Sequence, residues 1–303
     1  NDVGHVAVAM ETIPSACYSY HIVRLRFLKK WDDRFKTYIF KTKYFLKQCE
    51  KACQGSGTRY VISLKQFNRF KIHYPPNLSE QTAIAQVLSD VDTLLQTIDK
   101  LITKKQQLKT ATMQQLLTGK RRLKGFTDGW EEKRLGDIAE IKKGNQITRK
   151  DTKHGTIPLV AGGLEPSCYI HKSNRPPEVV TISASGANAG YVAFHPCAIF
   201  ASDCSTIQKA KNYVVRFIYY SLKLNQKKIK TLQTGGAQPH VYPLQLKNIH
   251  VYLPRDIAEQ TTIAQVLSDM DREIEALNKK KTKYQQLKKA MMQQLLTGKI
   301  RLL

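Results

Sequence analysis

Residues 80–123 and 259–302 align without a gap at a constant offset of 179, and 29 of the 44 pairs are identical. EQTAIAQVLSDVD faces EQTTIAQVLSDMD, and QQLLTGK stands at both Gln114–Lys120 and Gln293–Lys299. Repetition on this scale means two copies of one structural unit, so the fold has to be built twice. The likeness continues faintly upstream. GSGTRY from Gly55 faces GGAQPH, and VGHVA (Val3–Ala7) resembles AGYVA (Ala189–Ala193) at an offset of 186. The chain therefore reads as a globular region and a long segment, then both again. The second copy starts near Gly129 and Trp130, and the first begins about sixty residues late relative to it. We expect the N-terminal part of the first copy to be absent.

The long segments carry a heptad rhythm. Ile84, Leu88, Val91, Leu95, Ile98 and Ile102 are spaced by alternate fours and threes, as are Ile263, Leu267, Met270, Ile274 and Leu277. Apolar residues at this spacing make one stripe on a helix. Asn77 and Asp256 stand three residues before Glu80 and Glu259, a capping-box pattern in which each Glu reaches back to the backbone. Gly119 and Gly298 suit the left-handed position beyond a helix end, with Lys120 and Lys299 beside it. A helix from Asn77 to Gly119 spans roughly 60 Å at 1.5 Å per residue. Two such stripes in one chain can cover each other as an antiparallel pair. Lys105, Lys109, Lys281 and Lys288 interrupt the seam. Either the helices diverge there, another protein covers that half, or the lysines lie along a solvated face.

Lys and Arg number 49 against 24 Asp and Glu, a net charge of +25. Residues 1–79 and 124–258 hold +9 each, leaving +7 for the helical segments. This excess points to a polyanion met mainly by the globular copies. Two equal basic modules on a stiff spacer suit a duplex whose turn repeats every ~34 Å, and hence a split target of two short words with an unread gap. No run approaches the roughly 18 apolar residues of a spanning helix, so no membrane partner is expected. The six cysteines form no C-x₂-C pair and read as free, buried or half-buried thiols in a reducing cytoplasm.

The second globular copy shows β-like runs at Pro177–Ser183, Gly190–Phe194, Ala198–Ser202 and Asn248–Pro254, with a helix expected over Val214–Leu224. Three loops hold side chains able to read bases or grip phosphate. The first offers Lys142, Lys143, Asn145, Gln146, Thr148, Arg149 and Lys150. Asn and Gln can address adenine, Arg guanine, and Lys phosphate. The second offers Ser185 and Asn188 among small residues that permit close backbone approach. The third, QTGGAQPH, offers Gln238 and His240, matched in the first copy by Ser56, Thr58 and Arg59. Each is otherwise a polar surface turn. No catalytic constellation is evident. Gly119-Lys120 and Gly298-Lys299 lack the earlier Gly and the following Ser or Thr of a phosphate-binding loop, and Tyr74-Pro75-Pro76-Asn77 is not the run that amino-methyltransferases use. Neither a metal nor a cofactor is expected.

GGAQPHVYPLQLKNIHVYLPRDIAEQTTIAQVLSDMD, followed by QQLKKAMMQQLLTGKIRL, resembles the specificity (S) subunit of Type I restriction–modification enzymes. GWEEKRLGDIAEIKKGNQITR resembles the entry to one of that family's target-recognition domains. The resemblance implies an α+β chain: two mixed α/β target-recognition domains joined by two long antiparallel, coiled-coil-like helices, with an internal pseudo-twofold repeat. On this chain the parts fall at 1–76 (first recognition domain, C-terminal part only), 77–123 (first helical spacer), 124–255 (second recognition domain) and 256–303 (second spacer). It further implies a non-catalytic, cytoplasmic DNA-reading subunit of a host-defence restriction system. Its partners would be double-stranded DNA, two methyltransferase (M) subunits on the helices, and motor-endonuclease (R) subunits through the complex. The competing readings are a nucleic-acid-binding scaffold or shortened subunit without full sequence specificity, and, more remotely, a self-contained methyltransferase or nuclease.

Overall fold

The computed structural model describes residues 4–11, 14–15, 17–19, 22–56, 59–148, 155–208 and 212–302, with the backbone alone for Ser56 and Arg59. It forms two compact units, residues 1–103 with 275–303, and residues 104–274. Unit 1 contains α1 (Asp33–Ile39), α2 (Lys43–Ala52), the hairpin β1 (Gln54–Ser56) and β2 (Arg59–Val61), and α3 (Leu64–Phe67). The two long helices, α4 (Leu78–Leu116) and α9 (Ile257–Leu295), have 39 residues each, and each contributes to both units. Unit 2 adds β3 (Trp130–Arg134), α5 (Leu135–Ile138), β4 (Ile141–Lys143), β5 (Ile157–Val160), β6 (Cys168–Ile170), β7 (Val179–Ser183), β8 (Val192–His195), β9 (Phe200–Ala201) and β10 (Cys204–Ile207). It continues with α6 (Val215–Leu224), α7 (Gln226–Lys230), α8 (Pro243–Lys247) and β11 (His250–Pro254). Its sheets run β4-β10-β7-β8, β6-β5-β9 and β11-β3.

Helix α4 begins where Asn77 Oδ1 accepts from Ser79 N–H at 2.8 Å, and α9 where Asp256 Oδ1 accepts from Ala258 N–H at 2.7 Å. Gly119 and Gly298 sit at φ +68° and +70°, as the C-cap reading requires. The capping-box glutamates, however, go elsewhere. Glu259, fully buried, takes Arg122 Nε at 2.8 Å and its Nη2 at 2.6 Å. Glu80 takes Arg301 in the same two-pronged way, at 2.5 and 2.6 Å. A guanidinium satisfies both carboxylate oxygens at once, which a single N–H at the helix start cannot do. The neighbouring glutamines dock the helix starts. Gln81 donates to Pro75 O and accepts from Asp32 N–H; Gln260 donates to Pro254 O and accepts from Val214 N–H.

The apolar seam is buried at Ile84, Leu88, Ile98, Ile102, Ile263 and Leu267, and half-buried at Val91, Leu95, Met270, Ile274 and Leu277. Its early positions do more than face the other helix. Ile84 and Leu88 share a core with Phe35, Phe45, Leu295 and Leu296; Ile263 and Leu267 share one with Phe217, Ile218, Met113 and Leu116. A helix pair covers only a narrow strip, and burying a large apolar side chain is worth about 1.5–3 kcal/mol. The globular elements α1 and α6 therefore pack onto the remaining stripe.

The helices do not diverge at the seam lysines, and these do not simply lie along a solvated face. Each meets an acid on the other helix: Lys105 meets Glu273 at 2.7 Å, Lys281 meets Asp99 at 2.6 Å, Lys109 meets Asp271 and Lys288 meets Asp92. The last two pairs are related by the repeat, and each has a tyrosine. Tyr220 O–H donates to Asp271 at 2.8 Å beneath Lys109, and Tyr38 O–H donates to Asp92 at 2.8 Å beneath Lys288. The tyrosines belong to a second repeated motif, Arg-Phe-x-x-Tyr, at Arg34, Phe35 and Tyr38 and at Arg216, Phe217 and Tyr220. VGHVA and AGYVA also have a counterpart in space. Gly4 (φ +87°) packs on Cys49 of α2 and Gly190 (φ +78°) on Ile229 of α7. Cys49 and Cys204 are buried free thiols, and burial pushes Cys204 up to about 12. Cys17 and Cys197, by contrast, are exposed, because both lie in loops outside the cores.

Tyr38→Phe and Tyr220→Phe each leave a carboxylate without its buried donor, and each is expected to lower stability by about 2 kcal/mol, read from urea unfolding. The hydrogen bonds from Arg301 hold the Glu80 carboxyl below its ordinary value. Its contribution is complete above the ordinary carboxylate value and is lost as pH falls through the lowered one. Glu80→Gln should melt at a lower temperature at pH 7 and lose less than the parent on acidification, which thermal melts from pH 7 to pH 3 will check.

Candidate nucleic-acid interface

Two of the three candidate loops of unit 2 leave the same end of one sheet, and the third, between α7 and α8, packs against them. In β10 the pairing of Ser205 with Lys143 and of Cys204 with Ser183 puts the start of that strand beside the ends of β4 and β7. The first loop follows β4, and the second joins β7 to β8. Their roots meet at Asp203 and Cys204. Gly144 N–H donates to Cys204 O at 2.8 Å and Ala184 N–H to Asp203 O at 3.1 Å, while Ser185 O–H donates to the Asp203 carboxylate. Gly144 is required here, since a Cβ would stand 1.9 Å from Ser202 O. The third loop lies on the second. Gly186 N–H donates to Pro239 O at 3.0 Å and Val241 N–H to Ala184 O at 2.9 Å, and Ser185 bridges His240. Ser185, Asn188, Gln238 and His240 thus share one surface, with Gln238 exposed and the other three half-buried. His240 stacks on Tyr242 at 6.0 Å between ring centres.

Lys142 and Lys143 fall on β4 rather than on a loop, Asn145, Gln146 and Thr148 lie on the first loop, and all five are exposed. Lys142 pairs with Glu140 at 3.0 Å, and the Asn145 side-chain oxygen accepts from Asn174 at 3.0 Å. Arg149 and Lys150 lie outside the described residues. In unit 1, Ser56 and Arg59 face each other as the last backbone pair of the β1–β2 hairpin; Thr58 lies outside the described residues.

Two contributors carry no clear signal in the sequence. Arg175 is buried and clamps the first loop's root, donating to Thr206 Oγ1 at 2.8 Å, Asn174 O at 2.8 Å and Lys143 O at 2.7 Å. The run QKKIK of α7 exposes Lys227, Lys228 and Lys230. It sits against the second loop, where Gln226 donates to Gly190 O at 2.7 Å and Gly190 packs on the Ile229 carbonyl. Its mark in the sequence is a lysine-rich run, but its neighbours are set by the fold. Lys223, by contrast, turns inward to Val192 O and the Tyr191 ring, and burial lowers its pKa. Beneath the loops His195 meets Thr181 Oγ1 at 2.9 Å, and burial lowers its pKa, which favours the neutral ring. The assembled surface offers amide and hydroxyl groups for base edges and lysines for phosphate.

The family model for the Type I restriction modification DNA specificity domain matches residues 1–110 and 127–288. The chain belongs to this family. The Type I restriction enzyme MjaVIII specificity subunit of Methanocaldococcus jannaschii is 29% identical over 312 residues, 90% of this chain and 71% of that protein. The putative type I restriction enzyme MjaX specificity subunit of the same organism is 29% identical over 86% of this chain and 66% of its own length. The chain thus spans about two thirds of the length of these curated relatives. Among solved structures, the S subunit of a Type-I restriction-modification system from M. genitalium matches with a TM-score of 0.69 at 20% identity. The match covers 87% of this chain and 72% of that one, a likeness of fold. The expected α+β architecture with its paired helices holds.

Arg175→Leu removes the donors of one buried and two part-buried hydrogen bonds and is expected to lower the stability of unit 2 by about 3 kcal/mol. Hydrogen exchange should rise at residues 142–146 and 204–207, which mass spectrometry of the variant will check.

Proposed function

We propose that this chain acts as the DNA-specificity subunit of a Type I restriction–modification complex and supplies recognition rather than catalysis. The observation that carries this reading is the convergence of three polar loops at one end of the unit 2 sheet, beside the exposed lysines of α7. Lys142, Lys143, Lys227, Lys228 and Lys230 would set the register on phosphates, and Asn145, Gln146, Ser185, Asn188, Gln238 and His240 would read base edges. Thr148, Arg149 and Lys150 would extend the first loop along the groove. The hairpin holding Ser56, Thr58 and Arg59 would be the corresponding reader of the first copy, giving two words. The segments 1–76 and 124–255 would be the recognition domains, and 77–123 and 256–303 the spacers. The exposed faces of the paired helices would receive two methyltransferase subunits, with motor-endonuclease subunits joining through them in the cytoplasm.

Binding by the chain with its methyltransferase partner, on duplexes bearing the methylated motif and on scrambled ones at fixed salt, tests the reading. Preference for a bipartite motif supports it; equal affinity for both duplexes sinks it. Replacing Lys227, Lys228 and Lys230 by Gln should flatten the dependence of log Kobs on log salt by about 2 to 3 without altering the motif. Gln238→Ala or His240→Ala should instead relax one word, at about 1–3 kcal/mol of discrimination.

A further inference from the structure

A further loop of unit 2 has its root where the candidate loops gather. It joins β5 to β6 and covers residues 161–167. β5 runs parallel to β9, with Val160 opposite Ala201, so both strands end near Asp203. Ser202 N–H donates to Val160 O at 2.8 Å, and Ser183 O–H donates to Gly162 O at 2.9 Å. Glycine is needed at this crossing. Gly162 has φ +76°, and a Cβ there would stand 3.0 Å from Ser183 Oγ and 3.1 Å from Asp203 O. Ser167 N–H closes the loop on Leu159 O at 2.9 Å. The root is thus tied to Ser183 and Asp203, the residues that also fix the second loop.

The tip carries Gly163, Leu164 and Glu165, all exposed, with Leu164 at 60%. It is backed by the four-stranded sheet. The cleft between the loop and Thr181, Ala193 and His195 measures about 30 Å³, room for about one water. The Glu165 carboxylate differs from the other glutamates of unit 2. Glu131, Glu132, Glu140, Glu178, Glu259 and Glu273 each meet a basic side chain at 3.4 Å or closer. Among the described residues the Glu165 side chain meets no cation and no hydrogen-bond donor. It does nothing for the fold, and beside a duplex it would repel phosphate. A carboxylate at such a place gains only where the duplex presents a donor. In the major groove that donor is the exocyclic amino group of cytosine. Adenine also has one, but its N7 acceptor lies alongside and opposes an acceptor-only side chain.

We infer, resting on the DNA-reading role proposed for unit 2, that the β5–β6 loop is a fourth reading element. Glu165 accepts from the N4 amino group of a cytosine, and Leu164 packs on the methyl group of a thymine next to it. The residues already proposed as readers are all neutral amides, hydroxyls and an imidazole, so Glu165 adds the one acceptor-only group. Its charge keeps the loop tip away from the backbone and toward base edges, while the lysines of β4 and α7 take the phosphates.

Selection of duplexes from a sequence-randomised pool, by the chain with its methyltransferase partner, tests this on the parent, Glu165→Ala, Glu165→Gln and Leu164→Ala. The parent is expected to select a bipartite motif with a G·C pair in the word read by unit 2. Glu165→Ala should lose about tenfold of the preference at that pair and leave the other word unchanged. Glu165→Gln, which carries both a donor and an acceptor, should move the preference there toward adenine. Leu164→Ala should relax the adjacent position to a smaller extent. An unchanged motif in Glu165→Ala overturns the assignment, and so does a uniform gain in affinity for all sequences, which marks a surface charge that only repels phosphate. Should Glu165→Ala fail to fold, Glu165→Gln decides, and its unchanged motif is equally fatal. A parent that selects no motif instead sinks the specificity reading itself, and the fourth element falls with it.

Discussion

Two buried carboxylates hold the architecture together. Glu259 at the start of α9 grips Arg122 just beyond the end of α4, and Glu80 at the start of α4 grips Arg301 just beyond the end of α9. Each pair can form only if the beginning of one helix lies beside the end of the other, so the pairs require antiparallel packing. A buried carboxylate deprived of its partner is strongly unfavourable, which penalises alternative registers more than it rewards this one. The Lys–Asp–Tyr groups add a second check further along, because a shift of one turn would separate Lys109 from Asp271 and Lys288 from Asp92 together.

This register also mounts the globular elements. Gln81 and Gln260, next to the buried glutamates, accept from the backbone N–H groups that open α1 and α6. Phe35 and Phe217 then sink beside Ile84 and Ile263. The same residues that set the helix pair therefore position each globular region on it. In unit 2 the core beneath α6 carries β7, whose far end presents the second loop. The path from the helix seam to the second loop is one of close packing, which suits a surface that holds side chains at fixed positions.

The four-stranded sheet separates two tasks. Its interior is largely apolar, and the buried Arg175, Thr206 and Ser183 are tied to backbone carbonyls or to each other, while the buried Ser205 hydroxyl has no hydrogen-bond partner among the described residues. Its loop end keeps amides, hydroxyls and lysines available to solvent. Different loop sequences can then be carried on an unchanged frame, as long as the roots at Gly144, Ala184 and Asp203 keep their hydrogen bonds.

The sequence by itself determined the duplication, the two long helices with their caps, the heptad stripe and the basic excess of the globular copies. These are local or periodic properties, and a backbone reads them over a few turns. The polar loops were legible too, since their composition follows from exposure. Tertiary structure alone decided that those loops meet at one sheet end, because strand order joins residues as distant as Lys143, Ser183 and Cys204. It alone paired the seam lysines with Asp92, Asp99, Asp271 and Glu273, and turned the capping glutamates toward Arg122 and Arg301. In each case the partner lies more than a hundred residues away in the chain. Helical spacing specifies which face a side chain occupies, but only packing specifies what it meets there.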